Sequence, residues 1–378
     1  MMQKTFIIIP TYNEKDNIGR LIEFIEEKVF PKIDKAKFAM HILIVDDSSP
    51  DGTADLVKKL QKKYKNLSLF LNKKKAGLGG AYMKGMTYAV DELDADLMFQ
   101  MDADFSHDPL VIHAFLDKID KGYDLVLGSR YIKGGSIPED WGIHRKFMSL
   151  VGNLIVRAVL WTWTVNDWTT GYRAIKKEVF ESLRKEMDRK EFSGYTWQIG
   201  FLHKTQRKGF KIAEVPINFI DREFGKSKIG AEYIKNTLLY IFKIRIRELD
   251  RIIKFAVVGV IGFVVNLTAL EVFYKAFGIR PDNAAAMGAE LAIISNFCLN
   301  NLWTFKDRKI SDFRKLIIKF LQFNLTSLGA VLIQKVGVWL GLKFFGESYY
   351  LLYFIASVAV GMVYNFVMYN KVIWKKEN

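Results

Sequence analysis

Four long apolar stretches in the last third of the chain limit its fold more than any other feature. They cover Ile252–Phe277, Ala284–Phe305, Ile317–Phe345 and Tyr350–Val372. Each is long enough to cross the hydrocarbon core of a bilayer as a helix. Backbone N–H and C=O groups find no water there and must be satisfied within the segment, so helices are expected and an entirely water-exposed globule is excluded. The flanks Lys243–Arg251, Lys306–Lys315 and Lys371–Lys376 are basic, whereas Gly278–Asn283 and Gly346–Tyr349 carry little positive charge. By the positive-inside rule, both termini and everything before the first span face the cytoplasm. Gln334 and Lys335 interrupt the third stretch. Four spans are still preferred, because three would place the basic C-terminus outside. Asn266, Glu271, Glu290, Asn296, Asn300, Asn301 and Asn365 lie within the spans. Ionisable residues there are functional candidates by default; for the asparagines, hydrogen bonding between helices is the preferred reading.

Before about residue 250 the apolar runs are short and broken by charge. Ile229–Leu249 alternates apolar residues with Lys and Arg, which suits a membrane interface. The expected division is therefore residues 1–228 as an α/β domain, 229–250 as interfacial amphipathic helices and 251–378 as a four-helix transmembrane domain. The formal net charge of +15 suits nucleic acid or anionic lipid. The long apolar runs decide for the lipid bilayer, and no nucleic-acid partner is expected. The single cysteine, Cys298, cannot form an internal disulfide, so nothing indicates an oxidising compartment. Phe6–Ile9 is too short for a signal-peptide core and is stopped by Pro10.

The first 228 residues alternate short apolar runs with helical periodicity. Strands are expected at Lys4–Ile9, Met40–Val45, Leu67–Leu71, Leu97–Met101, Asp124–Leu127 and Ile212–Phe219, with a short one ending DWTTGYRA. Helices are expected between them, including Ala81–Leu93 after the turn GLGG and the unusually apolar Arg145–Trp163, which suits either a core or a membrane surface. This alternation predicts a doubly wound, mostly parallel sheet. Polar groups fall where four strands end: Tyr12 and Glu14, Asp46 and Asp47, Asp102 and Asp104, and Arg130. Ligands bind at the C-terminal ends of strands in such sheets. Alternation along Leu97–Asp104 would turn Asp102 and Asp104 the same way, so both could reach one hard divalent cation. Gly77-Leu78-Gly79-Gly80 is not G-x-G-x-x-G and no G-x-x-x-x-G-K-[ST] is present, so the phosphate loops of dinucleotide-binding and P-loop proteins fit less well. Tyr131–Trp141 reads as a loop, either a lid or a plain surface connection. Arg222, Lys226 and Lys228 form a basic loop suited to phosphates or to solvent.

The stretches FIIIPTYNE, LIVDDSSPDGTAD, GLGGAY, QMDADFSHDP, GSRY, DWTTGYRA, GYTWQIG and EVPINFIDREFGKSK cover nearly all of residues 4–230. In this order they resemble the family-2 glycosyltransferases, which have the GT-A fold, and in particular dolichol- and polyprenol-phosphate mannose synthases. The C-terminal spans, with NNLWTF, look like the GtrA-type membrane domain. The resemblance implies that Pro10, Tyr12 and Glu14 line a guanosine pocket, that Asp47 holds the base and that Val45 belongs to the nucleotide-sugar site. Asp102 and Asp104 would sit at the metal, Mg²⁺ or Mn²⁺, and at the pyrophosphate, with Ala103 nearby. Ser106 stands where some relatives carry a metal-binding glutamine, with Asp108 close by in the sequence. Arg130, Arg145, Arg222 and Lys228 would hold phosphates. The implied reaction moves mannose from GDP-mannose to dolichyl or polyprenyl phosphate with inversion. A UDP-sugar donor and a membrane half that moves lipid-linked sugar are the alternatives.

Overall fold

The computed structural model describes residues 2–187, 192, 196–221 and 231–375. It divides into two compact units, Met1–Arg245 and Ile246–Asn378.

The first unit is built on seven strands: β1 (Gln3–Thr11), β2 (Phe38–Asp46), β3 (Leu67–Leu71), β4 (Leu97–Gln100), β5 (Leu125–Ser129), β6 (Arg173–Lys176) and β7 (Ile212–Pro216). Their order across the sheet is β3-β2-β1-β4-β6-β5-β7. All neighbours run parallel except β6, which is antiparallel to both β4 and β5. The chain lays down β1, β2 and β3 in one direction, then returns to place β4 on the other side of β1. That reversal is the position at which such sheets form a ligand crevice.

Why these residues form a central sheet follows from the period of two. Ile7, Ile9, Ile42, Ile44 and Phe99 pack on one face, and Ile8, Leu43, Val45 and Met98 on the other, all without exposed surface. Both faces are covered, as the continuous apolar runs require. The first face is covered by α1 (Lys15–Phe24), α2 (Thr53–Lys63) and α4 (Ile112–Asp120). The second is covered by α3 (Gly77–Asp91), α6 (Lys177–Met187) and α7 (Thr196–Arg207). Helix α3 starts four residues before the expected Ala81. Gly77, at φ +73°, makes the turn, and the remaining glycines lie in the helix. A Cβ at Gly79 would overlap the Phe192 carbonyl, so glycine is needed for close approach.

Helix α5 (Ile143–Val159) matches the apolar segment expected at Arg145–Trp163 and settles its place. Ile143, Phe147, Met148, Leu150 and Leu154 are exposed on it, as are Trp161 and Trp163 beyond it, so these side chains are not core.

A single helix, α8 (Ala231–Lys275), runs through the stretch where the sequence suggested interfacial helices followed by a separate first span. No glycine or proline lies between Ala231 and Val258 to stop it. The C-terminal unit continues with α9 (Pro281–Leu299), α10 (Phe313–Phe345) and α11 (Tyr350–Met368). Among the described residues, three segments are long and apolar enough to cross a membrane: Lys235–Lys275, Phe313–Phe345 and Leu352–Ile373. The expected second span is not among them. Its helix α9 has 19 residues and carries Asp282, Asn283, Glu290 and Asn296. Gly329, Gly337 and Gly341 of α10 lie against Tyr364, Ser357 and Tyr353 of α11, the small-residue contact typical of membrane helices. Asn301 bonds both backbone groups of Ile310 (2.8 and 3.0 Å) and accepts from the Trp374 indole (3.0 Å), closing the turn after α9. Asn296, Asn300 and Asn365 each keep a buried side-chain oxygen without a hydrogen bond, and the Asn301 bonds tie a helix end to a loop and to the end of the last helix rather than one helix to another.

Candidate active site

The ends of β1, β2 and β4 converge at the reversal point. Of the five non-glycine residues with left-handed backbone among the described residues, three sit there: Asn13 after β1, Ser48 after β2 and Phe105 after β4 (φ 58°, 60° and 60°). Such conformations cost of order 1–3 kcal/mol each and gather at functional sites.

On the β1–β2 side, Pro10 pairs with Val45 and Thr11 with Asp46. Asp46 is fully buried and tied to Thr11 Oγ1 (2.9 Å) and Ser49 (2.6 and 2.9 Å), so its role is to hold the two strand ends together. Asp47 accepts from Asn72 Nδ2 (2.5 Å) and the Ala76 amide (3.0 Å), one bond on each oxygen. Tyr12 carries Lys75 over its ring at 3.7 Å, and Glu14 accepts from Asn17 (2.9 Å) at the start of α1. Val45 has no exposed surface and packs toward Gly85 of α3, so its side chain belongs to the core.

After β4 the chain makes a tight acidic turn. Asp104 Oδ1 accepts from the Ser106 amide (3.1 Å) and hydroxyl (2.6 Å). Ser106 therefore braces Asp104. Ala103, Asp104, Ser106 and His107 are buried. Asp102 is more open, with 37% of its side chain exposed, and accepts from the Tyr82 hydroxyl of α3 at 3.2 Å. Burial and the Asp102 charge push the Tyr82 phenol well above its ordinary pKa, so it stays a donor. Among the described residues no three His, Cys, Asp or Glu side chains form a metal-ligand group. Two carboxylate residues at a strand end still fit Mg²⁺ or Mn²⁺, since such ions take one or two carboxylates and complete their shell with substrate phosphates.

The basic side lies beyond β5. Arg130 forks onto Asp167, Nε to Oδ2 at 2.7 Å and Nη2 to Oδ1 at 2.8 Å, and Nη2 also reaches Thr169 Oγ1 (2.7 Å). The pair is buried, with side chains 9% and 0% exposed. Burial opposes charge on both groups; their mutual attraction and hydrogen bonds overcome it, raising Arg130 and holding Asp167 below the usual carboxylate range. Glu214 of β7 fixes the Asp167 turn by accepting from the Asn166 and Asp167 amides, each at 3.0 Å. Arg145 forks onto Asp221 (2.8 and 3.0 Å) and stacks on Trp141 at 3.8 Å, while the Trp141 indole donates to the same aspartate (2.9 Å). Phe219 joins the groups: Arg130 lies 5.5 Å from its ring centroid, Trp141 at 5.8 Å and His107 at 6.3 Å. The 131–141 loop is pinned through Ser136, whose amide donates to Ile217 and whose carbonyl accepts from Phe219 (3.0 and 3.1 Å). Arg222, Lys226 and Lys228 lie outside the described residues.

Residues 6–184 match Glycosyl transferase family 2, and residues 254–374 match the GtrA/DPMS transmembrane domain. A dolichol-phosphate mannosyltransferase of Pyrococcus furiosus is 32% identical over 380 residues, covering 98% of this chain and 99% of that protein. The chain belongs to glycosyl transferase family 2. Two further relatives of this glycosyltransferase match about two thirds of its length. A polyprenol monophosphomannose synthase of Mycolicibacterium smegmatis is 35% identical over 66% of this chain and 90% of its own length. An undecaprenyl-phosphate mannosyltransferase of Micrococcus luteus is 33% identical over 63% and 92%. The membrane domain and the three apolar helices make the glycosyltransferase a membrane protein.

The sequence left Tyr82, Asp167, Arg173 and Asp221 of the glycosyltransferase without a role, and His107 with none beyond the turn before Pro109. Arg173, on β6 beside Gln100, is fully buried and donates to the carbonyls of Thr170 (3.1 Å) and Gln198 (2.8 Å). Burial pulls its guanidinium down to about 9, against Asp167, which leaves it charged at neutral pH. Asp167 and Asp221 stood inside quoted motifs, Asp167 as the one carboxylate of DWTTGYRA and Asp221 between Glu214 and Glu223; nothing local marked either, because its arginine lies 37 or 76 residues away.

Proposed function

We propose that this glycosyltransferase moves mannose from GDP-mannose to dolichyl or another polyprenyl phosphate at the cytoplasmic face of a membrane. The observation that carries the reading is the acidic turn Asp102–Asp104 at the sheet reversal, facing strand ends suited to a nucleoside on one side and an arginine-rich, aromatic cluster on the other. The naming of the relatives as polyprenol-phosphate mannosyltransferases supports the sugar and the lipid phosphate. The exposed apolar face of α5, with Trp161 and Trp163, suits contact with lipid close to that cluster's Arg145.

The nucleophile is a phosphate oxygen of the lipid. A phosphate monoester has a second pKa of about 6, so it is largely ionised at neutral pH and needs no strong general base. The new bond joins that oxygen to the anomeric carbon, the bond to the GDP oxygen breaks, and GDP leaves with the electron pair. Direct displacement inverts the anomeric centre and gives a β-mannosyl product from an α-linked donor. Pro10, Tyr12, Glu14 and Asp47 would hold the nucleoside. Asp102 and Asp104, with Ser106 bracing Asp104, would hold Mg²⁺ or Mn²⁺, which supplies neutralisation of diphosphate charge. Arg145, together with Arg222 and Lys228, would hold the acceptor phosphate, so that two anions are brought together. Arg130 contributes chiefly by fixing the turn at Asp167. The basic flanks favour a cytoplasmic location for both termini and the first unit, with α9 as a fourth span.

The test is transfer of labelled sugar to polyprenyl phosphate from GDP-mannose or UDP-glucose, with Mg²⁺, Mn²⁺ or EDTA. Transfer from GDP-mannose, abolished by EDTA and lowered about 10²-fold or more by Asp104→Ala, is expected. Transfer from UDP-glucose alone would overturn the donor, and retention of anomeric configuration would overturn the single displacement.

A further inference from the structure

Asp102 is held from more than one side, and His107 meets it at the backbone and faces its carboxylate. The backbone N–H of Asp102 donates to His107 Nδ1 at 3.1 Å. An amide can only donate, so Nδ1 carries the lone pair and the neutral ring has its proton on Nε2. That nitrogen lies 4.0 Å from Asp102 Oδ2, too far for a hydrogen bond but with the positive end of an N–H near the carboxylate. The ring itself is fixed. It is 3% exposed and stacks on Tyr172 at 4.8 Å and 11°, and Tyr172 is tied by its hydroxyl to the Asp108 carbonyl (3.1 Å). On the other oxygen of Asp102 stands the Tyr82 hydroxyl, at 3.2 Å.

We propose that His107 is a positioning residue that sets the backbone and carboxylate of Asp102 for divalent-metal and donor-diphosphate binding, with Tyr82 fixing the second carboxylate oxygen. This rests on the proposed function, in which Asp102 and Asp104 face the metal and diphosphate. Partners of this kind, behind the ligands themselves, change metal affinity by about 10–100-fold when removed. The competing account, in which His107 is a flat ring filling the core beside Tyr172, makes the opposite demand on substitutions. Phe keeps the stack and loses the acceptor. Asn places its amide oxygen at the same distance from Cβ as Nδ1, so it keeps the acceptor and loses the stack.

The experiment measures Mn²⁺ affinity by paramagnetic resonance on the full-length, detergent-solubilised enzyme with GDP present, beside the Tm and the donor KM. For His107→Phe, Mn²⁺ binding about 10–100-fold weaker and a raised donor KM are expected with a Tm near that of the unsubstituted protein. For His107→Asn, Mn²⁺ binding stays within a few-fold while the Tm falls. Tyr82→Phe, which removes one hydroxyl, weakens Mn²⁺ binding about 10-fold and provides a second measurement if a His107 variant does not fold. Unchanged Mn²⁺ affinity in both His107→Phe and Tyr82→Phe overturns the proposal. Unchanged affinity in Asp104→Ala would overturn the metal reading beneath it instead, so the two failures are separable.

Discussion

Arg130 and Arg145 make the same bidentate fork onto an aspartate, yet their surroundings give them different work. Arg130 and Asp167 are buried, and Asp167 also collects the Arg130 amide (3.2 Å) and the Thr169 amide (3.2 Å). Arg145 and Asp221 remain 44% and 37% exposed. A phosphate that displaced Asp167 would leave a buried carboxylate charge with no cation beside it and no water, held only by neutral donors. A phosphate that displaced Asp221 would leave one that simply hydrates. Fork geometry alone therefore does not mark an arginine as substrate-facing; the solvation of the partner it must release does. The sequence pointed to both arginines as phosphate ligands, and burial divides them.

The comparison is broken most directly at Asp167. Removing one member of a buried pair leaves an uncompensated charge and costs about 3–5 kcal/mol. Asp167→Ala should lower the Tm by on the order of 10 °C and reduce transfer from every donor alike, because the whole turn carrying Arg130 loosens. A differential-scanning measurement in detergent checks the first part. A Tm within about 2 °C of the unsubstituted protein would mean that the pair contributes no more than a surface pair.

Acid sharpens the same contrast. Asp167 is held below its ordinary pKa in the folded state. Its contribution is fully present above the unfolded-state value of about 3.9 and is lost as pH falls through the lower folded value. Asp167→Asn should therefore be less stable than the unsubstituted protein at neutral pH, with the gap narrowing only below about pH 4. Urea midpoints of the two proteins from pH 7 to 3 give the comparison. A gap that closes already near pH 6 would show that some other group titrates.

What the sequence made legible was the part governed by local pattern. Leu67–Leu71 was bounded as observed, and the acidic turn fell at the end of β4, because strand period and strand-end polarity are properties of neighbouring residues. Val45 hides the direction of its side chain for the complementary reason. It stands next to the polar Asp46 and Asp47 in sequence, but the pleat turns its side chain under α3. The partners that define the site were hidden by distance along the chain: Tyr82 lies 20 residues from Asp102, and Asp167 lies 37 from Arg130. Nor does composition reveal that a histidine in the turn points Nδ1 back at its own chain. In the C-terminal unit, apolar length set the helices, whereas the spacing of Gly329, Gly337 and Gly341 acquires meaning only beside α11.

The smallest stability effect belongs to the exposed pair, and it is the one that tests the function. Pairs this open contribute about 0–1 kcal/mol, so Arg145→Gln should shift the Tm by no more than about 2–4 °C. Its consequence should appear in the acceptor, with KM for polyprenyl phosphate raised about 10-fold and KM for the sugar nucleotide unchanged. Asp221→Asn then gives the sign. If Asp221 occupies the place that the acceptor phosphate takes, weakening its hold frees Arg145, and the acceptor KM should fall while that of Arg145→Gln rises. Both variants raising the acceptor KM equally would mean that the pair shapes the loop at Trp141 as one unit, and Arg145 would then join Arg130 as a residue that holds the site together rather than one that meets the lipid.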